Sequence, residues 1–432
     1  MNSYKIKDFD TNKIYIFFLF YLTILIGFYF DENSLGGAKH DFFFHYGISQ
    51  QFNINFSDTF LNFGNFEMGM GTRNSPIFWI VVAFFDKLFP FDVLRILNSL
   101  VSILIGVYLY KCLALKFKDQ NQTALIFLTS VIFLSPTIRS LSIWPYNLIW
   151  GLFFFILSIY YFLKFTDSTD FNLKFKFSLK VLFFLILSSY IHPSFAVFII
   201  YYTYLFYAYF KLSKYSFYLF LFSLILSIPF FFYINLINIF DSFYGAEGLD
   251  VSFSKSINLS NKIMVILTMF LFFIFPIINI KKTFKEIISI KTLPLLIILF
   301  FGFLNIYFFN FPYFEGGAFG GGFFHKLSNM LFKNNYFFYF IFIVSLFIIY
   351  GILSKNFDNF ILLILLILSN PQFTIYNKYF DPLIFILFLT LFKLDIENHF
   401  FKKKYKFIQL YLLTIVYLLM ALFKSHLYAI SF

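Results

Sequence analysis

Residues 35–47, LGGAKHDFFFHYG, place a lysine, an aspartate and two histidines close together in a chain with only 12% charged residues. If the stretch is helical from Lys39 onward, Asp41 and His45 lie four residues apart on one face of the helix. His40 then points elsewhere. A carboxylate in this setting can act as a general base, which contributes about 10²–10⁴ in rate. The alternative is that these are ordinary polar residues of a solvated loop, which the local sequence favours equally.

The composition indicates an integral membrane protein. Of the 432 residues, 60% are hydrophobic and 78 are phenylalanine, and the mean hydropathy is +0.81. No single soluble core could hide so much apolar surface from water. A helix needs roughly 20 apolar residues to cross the hydrocarbon layer, and such runs recur from residues 14–30 to 407–423. The predicted fold is therefore all-α, in one polytopic membrane domain, and the lone Cys112 excludes a disulfide framework.

Hydropathy predicts about thirteen transmembrane helices, with a range of about eleven to thirteen because two of the segments are short. The first run is too long for a signal peptide and is predicted to be an uncleaved span. The predicted spans lie near residues 14–30, 93–114, 122–140, 143–163, 181–192, 194–210, 216–238, 262–280, 293–312, 336–353, 358–369, 380–394 and 407–427.

The positions of the charges predict the orientation. If the N-terminus is cytoplasmic, most of the 33 lysine and arginine residues fall in inner loops and most of the acids fall outside. The net charge of +12 is therefore interpreted as a topology signal, and nucleic acid is not predicted as a partner. Together with a composition typical of an AT-rich genome, this predicts a multi-pass protein of the bacterial cytoplasmic membrane.

Three segments are predicted to lie outside the membrane. The longest, 31–92, contains the apolar segment 75–90. This segment is predicted to lie along the membrane surface, since counting it as a span would invert every later loop. The other two are 239–261 and the glycine-rich 313–335, and both are flexible enough to cover a substrate.

The order of features along about the first 110 residues is distinctive. An acidic pair, Asp31 and Glu32, follows the first span, and Asp41 comes about ten residues later. Pro76 then begins the surface helix, and Arg95 lies near the start of the next span. This order resembles the N-terminal module of the GT-C superfamily, the multispanning glycosyltransferases that use polyprenyl-phosphate-linked sugars. The rest of the chain matches only as a pattern of spans and loops.

The resemblance implies a GT-C-like module at 1–240 and a variable set of spans at 241–432. It implies an enzyme that transfers a sugar from a polyprenyl phosphate to a hydroxyl of a lipid, glycan or protein on the outer face of the membrane, with inversion at the anomeric carbon. Its partners would be this donor, the acceptor and membrane lipids. Asp41 matches the acid that serves as catalytic base in that family, and Asp31 and Glu32 are the alternatives.

A phosphate-bearing donor needs cations near the lipid headgroup. The candidates on the predicted outer side are Arg73, Lys39, Arg139 and Lys378. The candidates for other substrate contacts are His45, His40, His325 and Glu67. His192 in YIHP (190–193) is predicted to cap a helix rather than to bind a ligand. No HExxH or similar spacing occurs, so no dedicated metal site is predicted, although a Mg²⁺ or Mn²⁺ ion shared by Asp41 and the sugar phosphate is compatible with the sequence.

Two other classes of function stay open. A flippase or transporter of lipid-linked oligosaccharides would place ionisable residues in the middle of its spans and break helices in both halves of the chain. Here almost all charges lie at span ends, and the segment 31–92 has no symmetric counterpart. A surface-polysaccharide polymerase or ligase would carry its large outer loop late in the chain, and the segment 313–335 fits that option.

Overall fold

The computed structural model describes residues 14–35, 37–65, 74–236, 258–313, 320–353, 356–370, 372, 374–394 and 400–430. Of the predicted site residues, Arg73 and Glu67 lie outside the described residues. The described ranges contain no strand, and their one irregular pairing is an isolated bridge between Gly320 and Ile375. The predicted all-α class is therefore confirmed.

The described residues form nineteen α-helices and three 3₁₀-helices. The 3₁₀-helices of the described residues are Val131–Leu134, Pro193–Phe198 and Asn377–Tyr379. The α-helices are α1 (Ile14–Tyr29), α2 (Ala38–Ile54), α3 (Phe56–Leu61), α4 (Ile77–Leu88), α5 (Phe91–Lys116), α6 (Gln122–Ser130), α7 (Pro136–Ile143), α8 (Asn147–Asp167), α9 (Phe171–Ile191), α10 (Ile199–Phe210), α11 (Lys214–Leu236), α12 (Leu259–Ile274), α13 (Ile280–Ile288), α14 (Thr292–Phe308), α15 (Gly322–Phe332), α16 (Tyr336–Leu353), α17 (Phe357–Leu368), α18 (Leu383–Thr390) and α19 (Lys404–Ile430).

Several helices are suited to cross a membrane. The number rises from five to seven if each of two sharply bent helix pairs counts as one span. These helices fit the predicted multi-pass membrane protein, while the count of about thirteen spans stays a prediction. The five helices of the described residues that are long and apolar enough are Phe91–Lys116, Asn147–Asp167, Pro193–Phe210, Tyr336–Leu353 and Lys404–Lys424.

The predicted span 122–140 is wrong as a single straight helix. The chain bends by 66° between α6, with its following 3₁₀ turn, and α7. Pro136 has no backbone N–H with which to continue the preceding helix, and the Ser135 hydroxyl caps the new one by accepting from the Ile138 N–H at 3.2 Å. The residues of α7 are all buried. Arg139 therefore lies on a buried helix, whereas the sequence predicts it at the outer end of a span.

The helix α9 is longer than the predicted span 181–192, because it begins at Phe171. Lys174, Lys176 and Lys180 lower the hydropathy of this stretch. Lysine is nevertheless a good helix former, so the helix runs through all three positions. The short connection before α9 folds it back along α8.

The segment after α1 is helical where the sequence predicts it. The helix α2 begins at Ala38, which confirms the predicted helix from Lys39 onward, and α4 lies within the predicted surface segment 75–90. The two helices pack against each other. The outer face of α4 is a stripe of apolar side chains at helical spacing, which suits a helix lying along a membrane surface. The exposed residues of this stripe are Ile77, Val81, Phe84 and Leu88.

Candidate active site

Asp41 and Lys378 meet in space, although they are 337 positions apart in the sequence. Asp41 lies in the first turn of α2, and Lys378 lies on the 3₁₀-helix Asn377–Tyr379. Lys378 Nζ donates a hydrogen bond to Asp41 Oδ2. The lysine side chain is 10% exposed and the aspartate side chain is 30% exposed. A buried ammonium needs a counter-charge, and Asp41 supplies it while staying accessible to solvent.

Aromatic rings surround the Lys378 ammonium. Its Nζ lies 5.3 Å from the ring centroids of Tyr146 and Tyr376 and 5.5 Å from that of Tyr379. Rings at such distances attract a cation. Burial alone would lower the pKa of Lys378, but Tyr379, Tyr146 and Asp41 together raise it above its ordinary value. The lysine is therefore a permanent cation at neutral pH.

His45 lies one turn after Asp41 on α2. Its imidazole is buried and stacks on the Trp79 ring, with centroids 4.8 Å apart and an interplanar angle of 15°. Burial lowers the pKa of His45 to about 4 in spite of the nearby Asp41 charge, so the ring is neutral at pH 7. Its Nδ1 atom has no hydrogen-bond partner in the described part of the chain. His40, in contrast, is exposed to solvent.

The link that carries Lys378 is fixed to two other parts of the chain. The Gly321 N–H donates to the Ile375 carbonyl at 3.0 Å, which joins the link to the glycine-rich segment before α15. The Asn377 side-chain amide donates to the Tyr417 hydroxyl of α19 at 3.4 Å. The position of Lys378 therefore depends on contacts with two segments that are distant in sequence, one before it and one after it.

His192 has the predicted role of a helix cap. It is buried, and its Nδ1 atom accepts from the Ser194 N–H at 3.4 Å at the start of the 3₁₀-helix. Its ring lies 5.6 Å from that of Tyr379, beside Lys378. His192 thus supports the link from the side of α9.

A second acid, Asp381, follows Lys378 by three residues. The Ser135 hydroxyl donates to Asp381 Oδ2 at 2.8 Å. Burial raises the pKa of Asp381 to about 7, although the hydrogen bond from Ser135 favours the carboxylate. A cavity of about 10 Å³ borders Thr137, Lys378 and Asp381, which is room for about one water molecule.

Asp31 is bound by two cations. Its Oδ1 atom accepts from Arg95 Nη2 at 2.8 Å, and Lys39 Nζ lies 3.6 Å from Oδ2. The Arg95 guanidinium also lies over the Trp144 ring, 4.0 Å from its centroid. Partial burial raises the pKa of Asp31, but Arg95 and Lys39 outweigh this and hold it below its usual range. Lys39 therefore lies beside Asp31 rather than beside Asp41.

Glu32 and Arg139 form a closed, buried pair. Arg139 Nε donates to Glu32 Oε1 at 2.8 Å, and its Nη2 donates to Oε2 at 2.5 Å. The guanidinium also donates to the Thr23 hydroxyl and carbonyl, at 2.8 and 2.9 Å. Both charged side chains are less than a tenth exposed. Because the guanidinium is engaged on all sides within the protein, the structure gives no support to Arg139 as a phosphate ligand or to Glu32 as a base.

His325 lies in a different, aromatic pocket. Its ring is buried among Phe309, Phe311 and Phe338, at centroid distances of 5.6, 5.6 and 5.3 Å. Burial, helped by the neighbouring Lys326 charge, lowers the pKa of His325 to about 4. Neither ring nitrogen has a hydrogen-bond partner among the described residues. The ring contacts belong to this pocket and not to the Asp41–Lys378 pair.

The residues around Asp41 combine an acid, a permanent cation and a neutral imidazole. The acid can take a proton, and the cation can hold a phosphate. Within the described ranges, no group of three or more histidine, cysteine, aspartate or glutamate side chains could hold a metal ion.

Several neighbours of the Asp41–Lys378 pair carry no sequence pattern that marks them as site residues. Three of them stand close to Lys378 in the segment 370–382, NPQFTIYNKYFDP, so their proximity could be read from the sequence. Aromatic residues make up 26% of the chain, however, so a tyrosine or tryptophan carries little signal by itself. The neighbours that the sequence analysis misses are Trp79, Tyr146, Tyr376, Tyr379 and Asp381.

Comparisons of the chain with protein-family models, with curated proteins and with solved structures found no match.

Proposed function

We propose that this chain is a membrane glycosyltransferase of the GT-C type, which moves a sugar from a polyprenyl-phosphate donor to an acceptor hydroxyl. The observation that carries the proposal is the pairing of the partly exposed Asp41 with the buried Lys378. The proposal includes about thirteen spans, a location in the bacterial cytoplasmic membrane and an active site on its outer face.

The three acids that follow α1 differ in their partners, and this difference favours Asp41 as the base. Both oxygens of Glu32 accept from Arg139, and Asp31 accepts from the Arg95 guanidinium. Asp41 pairs with a lysine and is 30% exposed. A general base must come within about 2.6–3.2 Å of the proton donor, so a carboxylate with open space around it suits the role.

Lys378 is suited to hold the donor phosphate. An ammonium group has three N–H donors. One of them bonds to Asp41, and the described residues provide no other hydrogen-bond acceptor for Lys378. The remaining donors can bind phosphate oxygens, and the charge acts more strongly because burial lowers the local dielectric.

The reaction then follows from the positions of these two charges. The acceptor hydroxyl gives its proton to Asp41, and its oxygen forms a bond to the anomeric carbon. The bond between that carbon and the phosphate oxygen breaks, and the polyprenyl phosphate leaves with the electron pair. Lys378 stabilises the charge on the departing phosphate. Attack from the side opposite the leaving group inverts the configuration.

The experiment compares the wild type with Asp41→Asn in detergent, using a panel of polyprenyl-phospho-sugars, an acceptor extract of the cell envelope, and buffers with and without Mg²⁺ or Mn²⁺. We expect release of polyprenyl phosphate to fall by about 10²-fold or more in the variant, because the base is lost. We expect Lys378→Gln to raise the KM for the donor, because the phosphate loses a cation. The matched control is Asp58→Asn, which makes the same change at an exposed acid of α3.

The outcomes separate the competing functions. Equal turnover by the wild type and by folded Asp41→Asn protein would remove Asp41 as the base while leaving the enzyme class intact. If no donor is consumed and the purified protein instead carries a labelled lipid-linked glycan across a vesicle membrane, the glycosyltransferase proposal fails in favour of a flippase.

A further inference from the structure

An open groove lies between α8, α9 and α11, on a part of the protein distant in sequence from both Asp41 and Lys378. Its volume is about 400 Å³, which falls in the range of small-molecule sites. The groove is apolar except for one cation. It is lined by Tyr161, Leu179, Lys180, Phe183, Phe184 and Phe222.

Stacked aromatic rings form the floor of the groove. Tyr161 and Phe184 are nearly parallel, with an angle of 2° and centroids 5.5 Å apart. Phe154 continues the stack on one side of Phe184 at 6.3 Å, and Phe177 continues it beside Tyr161 at 6.3 Å. The rings therefore form a continuous apolar surface along the α8–α9 pair.

Two lysines lie beside the Tyr161 and Phe177 rings of this stack, and one of them, Lys180, also lines the groove. Lys180 Nζ lies 4.9 Å from the ring centroid of Tyr161, and Lys164 Nζ lies 5.8 Å from that of Phe177. Lys164 Nζ lies closer still to the ring of Tyr160, at 4.8 Å. Since Tyr161 and Phe177 are stacked, both lysines lie beside the same part of the α8–α9 pair. Neither lysine forms an ion pair with a carboxylate of the described residues. Their charges are therefore available to an anion from outside.

The acids next to this region already have partners. Asp167, at the end of α8, is paired with Lys118. Asp170 caps α9 by accepting from the Leu173 N–H at 3.0 Å. This part of the α8–α9 pair thus keeps a local excess of positive charge.

We propose that the groove binds an anionic phospholipid of the bilayer, with an acyl chain along the stacked rings and the phosphate on Lys164 and Lys180. Charge complementarity carries the proposal, because an apolar groove with Lys180 in its lining and Lys164 beside the same ring stack matches a lipid that joins an apolar chain to an anionic headgroup. The helix α8 is suited to span a membrane, and Lys164 lies in its last turn, where a lysine reaches the headgroup level. The bound lipid would connect α11 to the α8–α9 pair. This site does not depend on the proposed enzymatic function.

The test adds phosphatidylglycerol to the purified full-length protein in a neutral detergent and follows thermal unfolding. We expect the lipid to raise the melting temperature, because a ligand that binds the folded state stabilises it, and phosphatidylcholine to have a much smaller effect. The double variant Lys164→Gln/Lys180→Gln should need at least about tenfold more phosphatidylglycerol for the same shift. Phe183→Gln, at an exposed ring of the groove, should weaken the response while leaving both cations in place.

The matched control is Lys281→Gln/Lys285→Gln, which removes the same charge from exposed positions of α13 outside the groove. It should respond to phosphatidylglycerol as the wild type does. The proposal is overturned if the groove variant responds like the wild type, if both double variants lose the response equally, or if phosphatidylcholine acts as well as phosphatidylglycerol. Preferential displacement of phosphatidylglycerol by polyprenyl phosphate at equal concentration would assign the groove to that lipid and overturn the phospholipid proposal.

Discussion

Two of the acid–cation pairs that connect the segment after α1 to later parts of the chain, Glu32–Arg139 and Asp41–Lys378, differ in how completely their hydrogen bonds are used. In the Glu32–Arg139 pair, both carboxylate oxygens and the guanidinium are bonded within the protein. In the Asp41–Lys378 pair, one hydrogen bond joins an acid that is 30% exposed to a lysine enclosed by tyrosines. The Glu32–Arg139 pair is complete without a ligand. In the Asp41–Lys378 pair, Lys378 has unused N–H donors and Asp41 has open space beside it.

The choice of cation explains much of this difference. The guanidinium of arginine is a rigid fork that matches a carboxylate in two parallel hydrogen bonds, so Arg139 fixes Glu32 in one position. The ammonium of Lys378 is a point charge on a flexible stem and can exchange one anionic partner for another. A buried acid next to a charge is therefore not enough to identify a base, because the geometry of the pair decides whether the acid is free to react.

Breaking the Glu32–Arg139 pair should strongly destabilise the folded protein. Arg139→Ala should lower the free energy of unfolding by roughly 3–5 kcal/mol, because Glu32 would be left as an uncompensated buried charge. Thermal unfolding in detergent measures the loss. The double variant Glu32→Gln/Arg139→Gln should recover part of it, since no unpaired charge remains. A loss below about 1 kcal/mol for Arg139→Ala, as for an exposed ion pair, would contradict the distinction between the two pairs.

The two pairs also show which parts of the site can be predicted from the sequence. The local pattern places Asp41 and His45 on one helix, and the structure has that helix. Hydropathy places Arg139 at the outer end of a span, but Pro136 begins a new helix there, and Arg139 is buried on that helix against Glu32. The pairing of an early acid with a cation about a hundred positions later is a tertiary contact, and no local period encodes it.

For the fold as well, local sequence patterns predict the positions of helices but not the contacts between distant segments. Apolar runs predict where helices lie, because a helix in a bilayer must satisfy its own backbone hydrogen bonds. They do not predict where a helix begins when charged helix formers precede the run, as Lys174 and Lys180 do in α9. The link that brings Lys378 to Asp41 depends on contacts with Gly321 and Tyr417, which lie on distant segments.

Asp381 differs from Glu32 and Asp41, because it is a buried acid with no cation within ion-pair distance among the described residues. Its pKa is raised from 3.8 to about 7, mainly by burial. Between pH 3.8 and about 7, the folded protein keeps a proton on Asp381 that the unfolded chain releases. The contribution of this residue to the free energy of unfolding therefore falls as the pH rises toward 7 and is constant above that pH. Asp381→Asn should remove this dependence, which amounts to about 2–3 kcal/mol between about pH 5 and pH 8.

The measurement is the difference in thermal stability between the wild type and Asp381→Asn at each pH, which cancels the titration of other groups. Asp119→Asn is the control, because Asp119 is exposed and its replacement should leave the wild-type pH profile unchanged. Parallel profiles for the wild type and Asp381→Asn would show that Asp381 is ionised throughout this range, so that its burial has no such effect.

The contact between Gly321 and Ile375 supports the position of Lys378 in the Asp41–Lys378 pair. Gly321 has φ of +99°, and a Cβ there would lie 2.8 Å from His325 Nδ1, so Gly321→Ala is strained on both counts. We expect it to cost about 1–2 kcal/mol of stability and to change donor KM more than kcat, because the Gly321 N–H holds the link three residues before Lys378. Gly351→Ala should have the opposite sign, because a Cβ in α16 meets only ordinary contacts at 3.7 Å and alanine favours the helix by up to about 1 kcal/mol. If Gly321→Ala changes neither the stability nor the donor KM, the contact with Ile375 is not what positions Lys378.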